Sequence, residues 1–516
     1  MQGANGSPAL QGVERTIATL GVLIASFMNV LDSTIAVVAL PSIAGSLSAT
    51  PSQGSWVLTI YGVCLAVVLP LSGWIARRFG QIRSFMVAVV IFTLTSWLCA
   101  SATSFDQLLV FRALQGMSGG LLLPFSQSIV LRIYPPEEHG KALGFWGLTA
   151  AVAPVAGPLL GGFITDHLGW PWIFYINLPL GAFSVWACFT ILRRFESETR
   201  KDPIDFVGLI LLVVGVISVQ LALDRGHELD WFASTQVRAL VVVGVVCLIS
   251  FLVWEMDIEH PIVDLSLFRS RSFALGSTMT ALFYGAFFLS AVLYPLWMQT
   301  TLGYTASAAG LVMATTSVFP IISMPILGSR LRRLNPRNVV LLGCTLMFFA
   351  LLLHAMVTIQ VSSTYLTTVR FMIGVTMPFL WMPLTVLTLV GMPPDKMDTA
   401  TGLSNFLRML AASIATAIGI TLWDDRTVVH RADLIQAVSN PTVERQQFFE
   451  TVRQLGDDPE SVWAAIEFMV FQQSRTMAQQ DVFFACAAVI VGVALMSLMM
   501  PSRLPSSTTR TVTAVD

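Results

Sequence analysis

Phe111-Arg112-Ala113-Leu114-Gln115-Gly116 and Val369-Arg370-Phe371-Met372-Ile373-Gly374 stand 258 residues apart, each in a long apolar run. The same offset relates Pro135-Pro136 to Pro393-Pro394. An offset of 255 relates the Gly73, Arg77 and Arg78 cluster to Gly328, Arg332 and Arg333. Matched breaks at nearly one offset mark an internal duplication. The duplicated unit is strongly apolar: the 516 residues are 55% hydrophobic and 11% charged, where a soluble domain carries about 25% charge. A helix needs about 20 apolar residues to cross a bilayer. By that measure fourteen spans run over 16–39, 54–75, 84–102, 106–130, 142–164, 171–192, 204–223, 237–254, 273–297, 307–328, 338–358, 364–391, 400–422 and 482–500. The offset equals six spans plus two. The expected architecture is therefore an all-α membrane protein of two six-helix halves and a two-helix insert. Its segments are a tail 1–15, a first half 16–192, an insert with flanking loops 193–271, a second half 272–500 and a tail 501–516.

Short-loop Lys and Arg set orientation. Arg77, Arg78 and Arg83 follow span 2, Arg132 and Lys141 span 4, and Arg193, Arg194, Arg200 and Lys201 span 6. Arg269 and Arg271 follow span 8, and Arg330, Arg332, Arg333 and Arg337 follow span 10. The loops between, such as 42–53 and 300–306, have no basic residue. Both termini are expected in the cytoplasm, with the polar segment 424–481 outside, as short helices in water. The N-terminus has no signal-peptide pattern. A net charge of -1 gives no basic field for nucleic acid. Cys64, Cys99, Cys188, Cys247, Cys344 and Cys486 all fall in apolar runs without metal-ligand or disulfide spacing and read as small core residues.

Asp32 is the residue most in need of explanation. A carboxylate at the centre of a membrane helix costs on the order of 3 kcal/mol on insertion scales. At about 1.5 Å per residue, Asp32 and Arg112 lie at similar depths from the outer face. Arg112 would favour the charged carboxylate and burial the neutral one, a balance that suits uptake and release of a proton. The competing reading is a fixed ion pair that only joins two helices. In span 5, Gly144, Gly147, Pro154, Gly157, Pro158, Gly161 and Gly162 permit close packing and bending; the second-half counterpart keeps Ala415 and Gly419 but no Gly-Pro step. At the end of span 2, Gly73, Arg77, Arg78 and Gly80 fit either a latch on neighbouring helix carbonyls or simple anchoring. Arg370, the repeat mate of Arg112, and Arg408 lie within spans that offer no carboxylate. Their open partners are backbone carbonyls, water or an anionic substrate group. His354 reads as a core residue or a proton relay. Gln115, Tyr61, Tyr284, Arg370, Phe379, Trp381 and Arg408 are candidates for lining a substrate cavity. A phosphate-binding loop and a His-Glu-x-x-His motif are both missing. No cofactor is expected, and the energy source would be a proton gradient.

Val30-Leu31-Asp32-Ser33-Thr34-Ile35, Arg112-x-x-Gln115-Gly116 and Gly157-Pro158-x-x-Gly161-Gly162 resemble the signatures of the fourteen-span drug:proton antiporters of the major facilitator superfamily, with the EmrB type the nearest likeness. Ser52 to Trp56, Trp172 to Pro179, Leu223 to Phe232, Pro261 to Phe268 and Leu403 to Arg408 extend the likeness, which runs from about Val13 to Met500. The resemblance implies a major facilitator fold with a substrate site between the halves. It implies proton-coupled export of small hydrophobic drugs or toxic compounds across a bacterial inner membrane. It also implies a periplasmic membrane-fusion adaptor and an outer-membrane channel as partners. In its terms Asp32 is the proton acceptor, Arg112 its modulator and span 5 the hinge. Two departures stand out: Ala76 takes the place of an Asp common in the inner-gate motif, and Arg370 occupies a position often uncharged in similar pumps. The alternative is a dedicated exporter of one physiological compound, such as a fatty acid, siderophore or secondary metabolite. A transporter-shaped receptor or scaffold would tolerate the loss of Asp32.

Overall fold

The computed structural model describes residues 10–49, 54, 56–135, 138–196, 199, 205–226, 229–258, 261, 263–331, 334–393, 396–439 and 459–500. Pro136, Arg332, Arg333 and Pro394 of the repeat, both terminal tails beyond these bounds, and the centre of the segment 424–481 lie outside them. The described chain is helical, with no strand among the described residues.

In chain order the first half contains α1 Gly12–Ser46, α2 Trp56–Phe79, α3 Gln81–Ala100, α4 Phe105–Ile133, α5 His139–His167 and α6 Trp172–Phe195. The insert is α7 Phe206–Gly226 and α8 Thr235–Asp257. The second half contains α9 Arg271–Thr300, α10 Ala308–Arg330, α11 Pro336–Ala355, α12 Ser363–Leu389, α13 Met397–Ser439 and α14 Pro459–Ser497. Among the described residues thirteen helices are long and apolar enough to cross a membrane. The 29-residue α5 fills the place of the remaining expected span.

The duplication is built into the geometry. Ser104 caps α4 by accepting from the Gln107 amide, and Ser362, its mate, caps α12 by accepting from the Tyr365 amide. Each cap satisfies a donor that the helix start leaves open. Gly116 of α4 lies against the backbone of Tyr61 in α2, where a Cβ would come within 3.0 Å of the Tyr61 Cα. Gly374 of α12 repeats this against Thr316 of α10, with a Cβ 2.9 Å from the Thr316 Cα. Both pairs of backbones cross where only glycine leaves room.

Within the first half α1 packs on α5 and α6, and α4 on α2 and α3; in the second, α9 packs on α13 and α11 on α12 and α14. The halves meet chiefly through α5 against α10 and α2 against α13. Exchanging each helix for its repeat mate turns one pair into the other, the mark of a pseudo-twofold axis. The insert pairs with itself and touches α2 and α13 at the periphery. Only 17% of the apolar window of α8 is buried, and Val242, Val246, Ile249 and Val253 face outward, as suits a helix whose solvent is lipid.

Two boundaries differ from the sequence expectation. The expected tail 1–15 contains the first turn of α1, held by Glu14 against Arg194 and by Arg15 against Glu138. The segment 424–481 is not a set of separate short helices where it is described. It is the direct continuation of α13 to Ser439 and of α14 from Pro459. The 43 residues of α13 extend about 65 Å at 1.5 Å each, twice a bilayer core of about 30 Å. The two extensions form an arm. Arg426 Nε and His430 Nε2 reach Asp481 Oδ2 at 2.5 and 2.8 Å, Arg431 pairs with Glu467 at 2.9 Å, and Val462, Ile466 and Val470 cluster with Leu434.

Candidate functional sites

Asp32 lies in the middle third of α1 and is 1% exposed. Three donors converge on its carboxylate. Arg112 Nη1 reaches Oδ2 at 2.5 Å, Gln115 Nε2 reaches Oδ1 at 3.0 Å, and Asn177 Nδ2 reaches Oδ1 at 2.8 Å. Arg112 also donates from Nη1 to Gln115 Oε1 at 2.7 Å and from Nε to the Val57 carbonyl at 3.2 Å. Its guanidinium covers the Tyr61 ring at 4.2 Å, and the Tyr61 hydroxyl donates to Asn29 Oδ1 at 2.5 Å. Asn177 donates onward to Ser96 Oγ at 2.9 Å. Four helices thus converge on one ion pair sealed from solvent. Arg112 lies one turn above Gln115 on α4, so both face α1, while the break between Tyr175 and Asn177 in α6 aims the Asn amide inward.

Asp32 and Arg112 therefore meet as the depth argument expects. Gln115 and Tyr61, named as cavity residues, belong to this buried cluster instead, at 0% and 3% exposure. Asn29, Ser96 and Asn177 were not singled out by sequence. Their signal was a polar residue in an apolar run, the same signal that marked Asp32, but without its charge.

At the end of the bundle that carries the basic loops, α2 meets the start of α13. A Cβ on Gly73 would fall 2.7 Å from the Thr399 Cα. Arg77 Nη1 donates to Thr399 Oγ1 at 2.8 Å and Nη2 to the Pro261 carbonyl at 3.4 Å. Gln81 Nε2 donates to Asp398 Oδ1 at 2.5 Å and accepts through Oε1 from Arg132. The latch therefore takes its carboxylate, Asp398, from the opposite half, and Ala76 is buried at 2%. Gly80 adopts φ +90° and turns the chain into α3, whose first amides, Ile82 and Arg83, donate to Glu196 at 2.9 and 2.8 Å. Arg78 lies in the last turn of α2. Beside the latch, Lys396 Nζ lies 2.6 Å from Asp264 Oδ2. Burial pushes the Asp264 carboxyl up, but the Lys396 and Ser266 hydrogen bonds and the Lys396 charge outweigh it and hold the group below its usual range.

The α5 glycines serve two surfaces. Gly157 abuts Thr34 and Gly161 the Ile35 carbonyl, where Cβ atoms would come to 2.7 and 2.9 Å. Toward the basic end Gly144 abuts the Met324 carbonyl at 2.8 Å, and Gly140 meets Gly328 backbone to backbone. Gly162 is half-buried in the same helix, which continues through Pro154 and Pro158, whose side chains lie outside the described residues. One helix thus runs from the Asp32 neighbourhood to the contact between the halves.

Between the halves, Arg408 of α13 is 5% exposed. Its guanidinium lies 4.9 Å from the Tyr284 ring, 4.9 Å from Trp381 and 5.8 Å from Trp146. Its Nε has no partner, nor has Trp381 Nε1. Trp146, from the first half, was not singled out by sequence. Arg408, Tyr284 and Trp381 are brought together. Phe379 is not: two residues from Trp381 on a helix it faces away, stacked on Phe319 at 6.5 Å. Arg370 is not in this box either. It lies inside the second half, with Nη1 3.4 Å from the Ser290 carbonyl and hydroxyl oxygens.

The sequence profile of the Major Facilitator Superfamily matches residues 22–416. The chain belongs to that superfamily of membrane transporters. Within it the likeness is to the EmrB type: the chain is 40% identical to the Multidrug export protein EmrB of Haemophilus influenzae over 489 residues, 94% of this chain and 96% of the relative. It is 39% identical to the protein of the same name from Escherichia coli, covering 93% of this chain and 94% of the relative. The Fatty acid resistance protein FarB of Neisseria gonorrhoeae is 36% identical, over 94% of this chain and 96% of its own length. The crystal structure of the human organic anion transporter MFSD10 (TETRAN) superposes with a TM-score of 0.54 at 14% identity, covering 93% of this chain and 100% of that one. At that identity the superposition speaks to the fold alone.

Proposed function

We propose that the protein is a proton-coupled antiporter that exports hydrophobic drugs or toxic compounds across a bacterial inner membrane, with both termini in the cytoplasm. The observation that carries this reading is the sealed Asp32 carboxylate held by Arg112, Gln115 and Asn177. A buried ion pair is a poor source of stability, since desolvation offsets most of the attraction, yet removing one partner's charge costs about 3–5 kcal/mol. Protonating Asp32 does just that. It frees Arg112 from α1 and weakens the seat of Thr34 and Ile35 on α5, whose other end holds Gly328. Proton occupancy is thereby coupled to the contact between the halves. The multidrug export named for the EmrB relatives supports a broad substrate range, and the fatty acid resistance named for FarB supports the narrower alternative.

The substrate would sit at the aromatic box. Ring faces supply apolar area, and Arg408, with no carboxylate on it among the described residues, favours compounds with an anionic head. Arg408→Gln is expected to lower export of hydrophobic carboxylates about tenfold, as loss of a buried charge pair worth ~1.4 kcal/mol requires, while sparing cationic dyes. A susceptibility panel in a deletion strain carrying either version checks this. Equal loss for both classes would remove the charge-selective role. The arm formed by α13 and α14 projects from the face opposite the basic loops and is where a periplasmic adaptor, leading to an outer-membrane channel, would dock.

A further inference from the structure

The two halves differ most at the repeat of the Asp32 cluster. Arg370 and Ser290 are separated by 80 residues, as are Arg112 and Asp32, and both arginines extend Nη1 toward the partner. The second half keeps the cation and loses the groups around it. Ser290 stands for Asp32, Ile373 for Gln115, Thr316 for Tyr61 and His354 for Ser96. Arg370 is nonetheless 1% exposed. Its contacts with Ser290 are long, at 3.4 Å. Its Nε has no partner, and the Tyr294 ring lies 5.4 Å away. His354 packs on that ring at 4.6 Å and on Phe483 at 5.0 Å. Gln479, one turn before Phe483 on α14, has neither amide atom satisfied. Among the described residues no carboxylate faces Arg370.

A guanidinium so enclosed needs a counter-charge. We propose that the second half binds one small inorganic anion, chloride, on Arg370 and on the Ser290 hydroxyl, which turns to it from the Phe287 carbonyl 2.8 Å away, where the first half uses its own Asp32 carboxylate. One positive charge calls for a monovalent ion. Ring walls from Tyr294 and Phe483 favour an ion that sheds water readily, and the position inside one half, away from the Arg408 box, separates the site from substrate. The anion balances the second-half arginine permanently, leaving proton-dependent charge to the first half.

Thermal unfolding of the purified full-length protein in sodium chloride and in sodium gluconate of equal concentration tests the assignment. The parent midpoint is expected to rise by about 5 °C as chloride reaches ~150 mM, growing with the logarithm of chloride concentration as linkage to a single site requires. Ser290→Asp supplies the carboxylate within the chain, so its midpoint should be high and indifferent to chloride. Arg370→Gln removes the charge to be balanced and should also be indifferent, which keeps the test decisive if the first variant fails to fold. A parent midpoint equal in both salts would overturn the proposal. So would a chloride response in either variant as large as that of the parent.

Discussion

Asp32→Asn should yield a folded transporter that no longer responds to a proton gradient. Asparagine keeps the shape, but its single oxygen accepts either from Arg112 or from Gln115 and Asn177, its NH2 facing the other side as a donor, and it does not titrate. The variant leaves Arg112 buried without a carboxylate, a cost of about 3–5 kcal/mol that the hydrogen bonds kept by the asparagine oxygen reduce. Folding should therefore survive at reduced stability. Coupling free energies between sites are about 1–3 kcal/mol, up to about 100-fold in the linked equilibrium, so gradient-driven accumulation should fall by about that factor. Substrate exchange without a gradient should persist, because the Arg408 box is untouched. Measuring both modes in proteoliposomes separates loss of coupling from loss of the protein. Unchanged gradient-driven export would assign the proton to another group.

The second large effect belongs to the meeting of Gly140 and Gly328. A Cβ on Gly328 would come within 2.8 Å of the Gly140 carbonyl carbon and 3.1 Å of the Lys141 Cα. These are backbone atoms and cannot swing aside like a side chain. Gly328→Leu should therefore hold α5 and α10 apart and prevent the basic end from closing. Export should fall about tenfold or more, since even ~1.4 kcal/mol against the closed state shifts its population by that factor. A reporter at Ser72→Cys, buried at 0% beneath Gly402 of α13, should become reactive to a water-soluble maleimide in a background without the native cysteines. Unaltered labelling with normal export would show that the two helices are not the gate.

The spans and the duplication were legible because membrane helices advertise themselves by apolar length and because glycine at a crossing and arginine at depth admit few substitutes. The Asp32–Arg112 pair was legible for the same reason: two opposite charges at one depth need each other. Direction around a helix was not legible. Tyr61 and Phe379 are aromatic residues in apolar runs, and nothing in such a run says which face meets a ligand; one faces the ion pair and the other its own half. Gln115 is polar enough for a cavity or a cluster, and only its place one turn from Arg112 decides for the cluster. The pairing of Gln81 with Asp398 was not legible, since it joins residues 317 apart in sequence. The arm was misjudged through its polarity. From Ile420 to Asn440 there is no glycine or proline, so a helix once begun has no cause to stop, and Gln, Arg and Glu are good helix formers in water.

Proton movement itself tests the central claim most directly. Proteoliposomes containing the parent and an internal pH-sensitive dye, given a hydrophobic substrate gradient and no imposed pH difference, should show substrate moving one way and protons the other. Asp32→Asn should show substrate movement without the pH change. Substrate flux in the parent with no accompanying proton flux would contradict antiport through the sealed carboxylate.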